Sequence, residues 1–184
     1  MQVWRPSIEM QVSSFYHVFD NVLTNDQVDK VRSFSDNTIL GRSNVIYLPK
    51  NCLPFEPIIE IVKNHFDLSS SLYYEIWEQK NTLPLGNNNM GWHYDDDVTL
   101  QKYNIVKYPL CTTVYYLDID ENLLDGKLII QNPVTSENHK VQPIPNRLVI
   151  FGPGIYHTVE EYTGYRHSII CNPWDRPLGL IEGV

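Results

Sequence analysis

From residue 110 onward the chain is cut by turn signals at short intervals, and this cadence restricts the fold more than any other feature. β-favouring runs stand at 110–118, 126–131, 139–144, 147–151, 155–160 and 165–172. Asp125-Gly126, Asn132-Pro133, Pro145-Asn146 and Gly152-Pro153-Gly154 fall between them. Short strands separated this way argue a sandwich or jelly roll. An earlier run, Leu72 to Glu78, alternates as a further strand, and a turn-rich loop with Pro84, Gly86 and three consecutive Asn follows it.

The N-terminal part reads differently. Residues 15–23 look like a strand, and Thr24 with Gln27 three places on forms a capping box that opens a helix. Val28, Val31 and Phe34 mark one face of that helix, which ends around Asp36-Asn37. Residues 41–53 are polar and irregular apart from the apolar run Val45 to Leu48, and a second helix is expected over about 55–66. The fold expected is mainly β, with two N-terminal helices packed on the outside of one sheet. At 184 residues the chain is long enough for one domain with a proper core. Residues 1–70 would support and 71–176 would form the core.

One segment carries chemistry. In Gly91-Trp92-His93-Tyr94-Asp95-Asp96-Asp97, His93 and Asp95 sit two apart, so an extended backbone puts both side chains on one face. Asp97 shares that face and Asp96 does not. His157 lies far downstream in the strand-like run Ile155 to Val159, and Arg166 follows it in another. Two His and one carboxylate with three positions left open are the ligand set of non-haem Fe(II) oxygenases. The other His suit packing or surface roles. His17 reads as surface or strand edge, His65 as a residue near a helix end, His139 as solvated in a polar turn, and His167 as facing away from Arg166 by alternation.

Composition narrows the alternatives. The formal charge is −8 with a pI of about 5.1, and without basic clusters a nucleic-acid partner is not expected. Cys52, Cys111 and Cys171 are widely spaced and form no CxxC, so a structural zinc site is not expected, and Cys111 and Cys171, in apolar runs, are expected to be buried thiols. The N-terminus lacks a charged-then-apolar leader pattern, and no run approaches a membrane span. The expectation is a soluble, cytoplasmic protein.

Taken together, the motifs resemble the Fe(II)- and 2-oxoglutarate-dependent oxygenases, in their prolyl-hydroxylase-like branch. The resemblance runs from about 72 to 174 through Trp92-His93-Tyr94-Asp95, Thr112-Thr113-Val114-Tyr115-Tyr116-Leu117-Asp118, Asp125-Gly126-Lys127-Leu128, Arg147 to Phe151, His157 and Arg166. Phe19 to Thr24 looks like the same family's strand-to-helix opening. Asp125-Gly126 stands where the family often has two glycines, a mild departure in a turn.

The resemblance implies a double-stranded β-helix (jelly roll) with His93, Asp95 and His157 as Fe(II) ligands. It implies 2-oxoglutarate as co-substrate, its far carboxylate bound by Arg166, with Tyr116 and Ser168 donating hydroxyls and Leu128 as a pocket wall. O2 is consumed, succinate and CO2 are released, and ascorbate serves as a reductant. Asp96 and Asp97 would be loop residues at the mouth. The aromatic that lines the site from the preceding strand is either Tyr74 or Trp77. The implied reaction is hydroxylation of an unactivated C–H bond. The Tyr-Tyr-Leu segment and the His-to-Arg spacing look like oxygen-sensing prolyl hydroxylases, which points to a prolyl residue of a protein or peptide. The competing readings are the same chemistry on a small molecule such as a free amino acid, and a jelly-roll binding protein without catalysis.

Overall fold

The computed structural model describes residues 15–38, 46–49, 54–80 and 90–179. Its strands are β1 (Tyr16–Asp20), β2 (Ile46–Pro49), β3 (Tyr73–Lys80), β4 (Thr112–Ile119), β5 (Leu124–Asp125), β6 (Leu128–Gln131), β7 (Asn138–Val141), β8 (Arg147–Phe151), β9 (His157–Val159), β10 (Tyr162–Thr163) and β11 (Arg166–Trp174). The helices are α1 (Asn25–Asn37), α2 (Glu56–Lys63) and the one-turn α3 (Val98–Gln101). The described residues are mostly β, and every strand pairing among them is antiparallel.

A six-stranded sheet runs β1-β8-β4-β11-β3-β2, a three-stranded sheet runs β7-β6-β9, and β10 pairs with β5. Strand alternation sorts the side chains of the large sheet into two clusters. Val114 and Tyr116 of β4 and Val149 and Phe151 of β8 bury against Leu128, Ile130, Val141 and Val159 of the small sheet. Tyr115, Leu117, Leu148, Ile150, Ile169, Cys171, Tyr74 and Ile76 share the other cluster with Val31 of α1 and Ile58, Ile59 and Val62 of α2. Each such large side chain fully buried contributes roughly 1.5–3 kcal/mol.

The local helix signals act as the sequence implies. Thr24 Oγ1 accepts from Gln27 N at 3.4 Å while Thr24 N donates to Gln27 Oε1 at 2.9 Å, closing the capping box. Pro57 sits in the first turn of α2, where a missing N–H costs no hydrogen bond. Cys111 and Cys171 are buried, and burial pushes the Cys111 thiol well up from its ordinary value. Cys52, Val45 and the loop 81–89 lie outside the described residues. None of the described helices is long and apolar enough to cross a membrane.

The extended segment expected around His93 is only partly one. A single antiparallel bridge joins His93 to His157, with both N–H···O bonds at 3.0 Å, and no strand continues past it. The chain turns instead into α3, because Asp97 caps it by accepting from Thr99 N at 3.0 Å. Asp97 is therefore not a mouth residue. It is 1% exposed and also accepts from Gly179 N at 2.6 Å, tying the end of the chain's described part to this turn.

Candidate metal centre

The bridge between His93 and His157 brings the two imidazoles side by side, with ring centroids 4.3 Å apart. Each ring is aimed from behind. His93 Nδ1 lies 2.7 Å from Gly91 O and His157 Nδ1 lies 2.9 Å from Ile155 O. A carbonyl only accepts, so Nδ1 carries the hydrogen in both rings and Nε2 presents a lone pair. Both Nε2 atoms lie 3.6 Å from the same atom, Asp95 Oδ1. Ligand atoms of all three residues fall within 4.8 Å of one another.

The donor set fits a divalent transition metal, and one atom demands a partner. His93 Nε2 is buried and has no hydrogen-bond partner among the described residues, a state that costs free energy unless something else occupies the lone pair. His157 is held below its ordinary pKa, chiefly by burial, with Asp95 opposing and His93 adding to the fall. It is thus neutral at physiological pH, as a ligand must be. Asp95 Oδ2 is occupied on its own account, accepting from Thr112 Oγ1 and Asn172 Nδ2, each at 3.0 Å.

A cavity runs inward from these residues to Arg166, between walls of Trp77, Val114, Leu128, Val159 and Ile170. Arg166 is 1% exposed, yet no carboxylate of the described residues lies within ion-pair distance of it. Its Nη1 donates to Gln79 Oε1 at 3.0 Å and Ser168 Oγ at 3.2 Å, and its Nε is buried without a partner among the described residues. The guanidinium carbon stands 5.0 Å from the Tyr116 ring centre and 5.7 Å from that of Tyr162. Tyr116 Oη is likewise buried and unpartnered. An unpaired buried cation with free donors is an anion site in waiting. Arg166, Ser168 and Leu128 line this cavity with the three clustered residues, and Tyr116 flanks Arg166.

Alternation on β3 separates the two aromatic candidates. Trp77 lines the cavity, whereas Tyr74 belongs to the cluster shared with the helices. The same parity sends Gln79 and Glu75 to the Trp77 side. Three polar contributors were not singled out from sequence: Gln79 on Arg166, and Thr112 and Asn172 on Asp95. A signal existed for the last two, since polar residues inside the apolar runs 110–118 and 165–172 need buried partners.

His167 faces away from Arg166, as alternation requires, and is 1% exposed with Nε2 2.7 Å from Glu78 Oε2. Ser35 Oγ of α1 donates to the same carboxylate oxygen at 2.5 Å. His139 departs from the expectation of a solvated turn. It lies on β7 with its ring edge-on to Phe15 and Tyr16 at 5.1 and 5.5 Å, because its strand pairs beside apolar β6 rather than turning away.

A second, outer cavity opens on the other side of the cluster, sharing Trp77, Met90, His93 and Asp95 with the inner one and adding Glu75, Tyr94 and Asp96. Glu75 Oε2 accepts from Trp174 Nε1 at 2.9 Å. Burial raises its pKa from 4.5 to about 7, with the Trp174 bond opposing and Asp95 adding to the rise. A carboxyl raised in the folded state destabilises as it ionises. Below 4.5 both states are protonated, and from there to about 7 only the folded state keeps its proton, so stability falls as pH rises through that window. In the metal-free protein Glu75→Gln removes this fall, worth on the order of 3 kcal/mol across the window. Urea unfolding of both proteins at pH values below and above the window checks it, and parallel pH profiles would contradict it.

No protein-family model and no curated protein matches the sequence. Solved structures do match in fold. A 2OG-Fe(II) oxygenase family oxidoreductase from Burkholderia pseudomallei aligns with a TM-score of 0.62 at 11% identity, over 89% of this chain and 86% of that one. A prolyl hydroxylase from Trichoplax adhaerens, solved with a hypoxia inducible factor peptide fragment, aligns at 0.61 and 14%, over 89% and 84%. A Pseudomonas putida prolyl-4-hydroxylase aligns at 0.59 and 14%, over 89% and 94%. At such identities the likeness is one of fold, and the chain has the fold of these oxygenases.

Proposed function

We propose that the chain is an Fe(II)- and 2-oxoglutarate-dependent oxygenase that hydroxylates an unactivated C–H bond, foremost on a prolyl residue of a protein or peptide, releasing succinate and CO2. One observation carries the reading. Two imidazole Nε2 atoms and one carboxylate oxygen converge beside a cavity that a buried arginine also lines, with no carboxylate of the described residues within ion-pair distance of that arginine. We read the architecture as a single-domain double-stranded β-helix, with the two N-terminal helices backing the larger sheet.

His93, Asp95 and His157 would hold Fe(II), which when bound supplies the redox chemistry that couples oxidative decarboxylation of 2-oxoglutarate to oxidation of the substrate by O2. Arg166 would bind the far carboxylate of 2-oxoglutarate, with Ser168 and Tyr116 contributing hydroxyls and Leu128 the wall. The apolar lining of the inner cavity excludes water around that ion pair and strengthens it. Trp77, Met90, His93 and Asp95 line both cavities, and we read the outer one as the approach for the prime substrate. The peptide preference draws support from the prolyl hydroxylases among the fold relatives, one of them solved with a peptide.

The test is succinate release from 2-oxoglutarate by iron-loaded protein, with proline-containing peptides added and ascorbate as reductant. The expected result is stimulation by a subset of peptides, each gaining the mass of one oxygen atom. Folded, iron-loaded protein that releases no succinate with or without peptide contradicts the proposal.

A further inference from the structure

We infer that Thr112 and Asn172 are positioning residues that restrict Asp95 to binding a metal through one oxygen, keeping three coordination positions open. The inference rests on the metal-centre reading above. A carboxylate beside a metal ion is able to chelate through both oxygens, and chelation here would take a position that co-substrate or oxygen needs. Asp95 Oδ2 is held back from doing so. It accepts from Thr112 Oγ1 and from Asn172 Nδ2, both at 3.0 Å, while Oδ1 is left facing both His Nε2 atoms.

The two donors are themselves fixed. Thr112 and Asn172 are 3% and 0% exposed, on adjacent central strands of the large sheet. Thr113 N donates to Asn172 Oδ1 at 2.9 Å, which sets which end of the amide faces Asp95. Flipping that amide would oppose two N–H groups at Thr113 and two oxygens at Asp95. The regular pairing between β4 and β11 stops at Val114 and Ile170. Beyond the Val114–Ile170 pair, Thr113 Oγ1 donates to Cys171 O at 2.8 Å and accepts from Cys171 N at 2.9 Å, so the Thr113 N–H is available to the asparagine. Both donors to Asp95 are neutral. They orient the carboxylate without cancelling the charge a divalent ion requires.

Mn(II) bound to the protein without co-substrate tests this through the number of exchangeable waters on the ion, read from water-proton relaxivity and needing no turnover. With one Asp95 oxygen and two imidazoles on the ion, wild type retains about three waters. The double variant Thr112→Val/Asn172→Leu frees Oδ2 to chelate and loses about a third of that inner-sphere relaxivity. Thr112→Val alone shows a smaller drop in the same direction, and Thr112→Ser, which keeps the hydroxyl, matches wild type. If the double variant does not fold, the comparison of Thr112→Val with Thr112→Ser decides. Wild-type relaxivity in a folded Thr112→Val protein and in the double variant overturns the inference, because a merely structural role lowers the melting temperature without moving hydration. Wild type that binds no Mn(II), or binds it equally after Asp95→Ala, instead overturns the metal-centre reading beneath it.

Discussion

Replacing Arg166 with methionine is expected to raise the 2-oxoglutarate concentration for half-maximal turnover by about two orders of magnitude, equivalent to about 3 kcal/mol. The same change is expected to cost the metal-free fold no more than about 1–2 kcal/mol. The combination is diagnostic. Where a buried arginine is paired with a carboxylate, removing it costs roughly 3–5 kcal/mol by stranding that charge. Among the described residues Arg166 has only the neutral Gln79 and Ser168 as acceptors, with the Tyr116 ring centre 5.0 Å from its guanidinium carbon. Removing its charge relieves a desolvation penalty and loses two hydrogen bonds, which nearly offset. Arg166→Lys keeps the charge but not the planar fork, so it recovers only part of the co-substrate affinity. Co-substrate titration beside thermal melts of all three proteins checks this. A large loss of stability with unchanged co-substrate dependence would make Arg166 a structural residue.

His157→Ala is expected to abolish metal-linked stabilisation. A ligand at a hundred times its dissociation constant raises unfolding free energy by about 2.7 kcal/mol. Wild type should show a gain of that order with Mn(II), and the variant none. Without metal the variant loses a 4%-exposed ring and the 2.9 Å bond to Ile155 O, which lowers its baseline stability. The decisive quantity is therefore the difference between melts with and without Mn(II) within each protein. Equal metal-induced shifts in wild type and variant would remove His157 from the centre.

What the sequence disclosed and what it concealed divide along a physical line. Signals confined to a few neighbours were legible. The Thr24–Gln27 capping box depends on a three-residue spacing, and the turns that cut β4, β6, β7, β8, β9 and β11 depend on Gly, Pro and Asn at their own positions. His93 and Asp95 share a face because they are two apart, even though their segment makes one bridge instead of a strand. Contacts set by register between distant strands were not legible. Gln79 meets Arg166 because β3 pairs with β11 in one alignment, opposing Gln79 to Ser168. Thr112 and Asn172 meet Asp95 only through the β4–β11 neighbourhood. Asp97 looked like a second acid on the His93 face, and what sets it apart is a helix start and a glycine N–H from far along the chain. The choice between Tyr74 and Trp77 likewise waited on which face of β3 turns to the cavity.

The central claim is that His93, Asp95 and His157 hold Fe(II) in a cavity that also takes 2-oxoglutarate. It is tested most directly by adding both anaerobically to the protein and recording the weak visible charge-transfer band of the iron–keto-acid complex. The account predicts a band in wild type, no band in His157→Ala at the same concentrations, and a band in Arg166→Met that appears only at far higher 2-oxoglutarate. Folded wild type that gives no band at saturating iron and 2-oxoglutarate would contradict it.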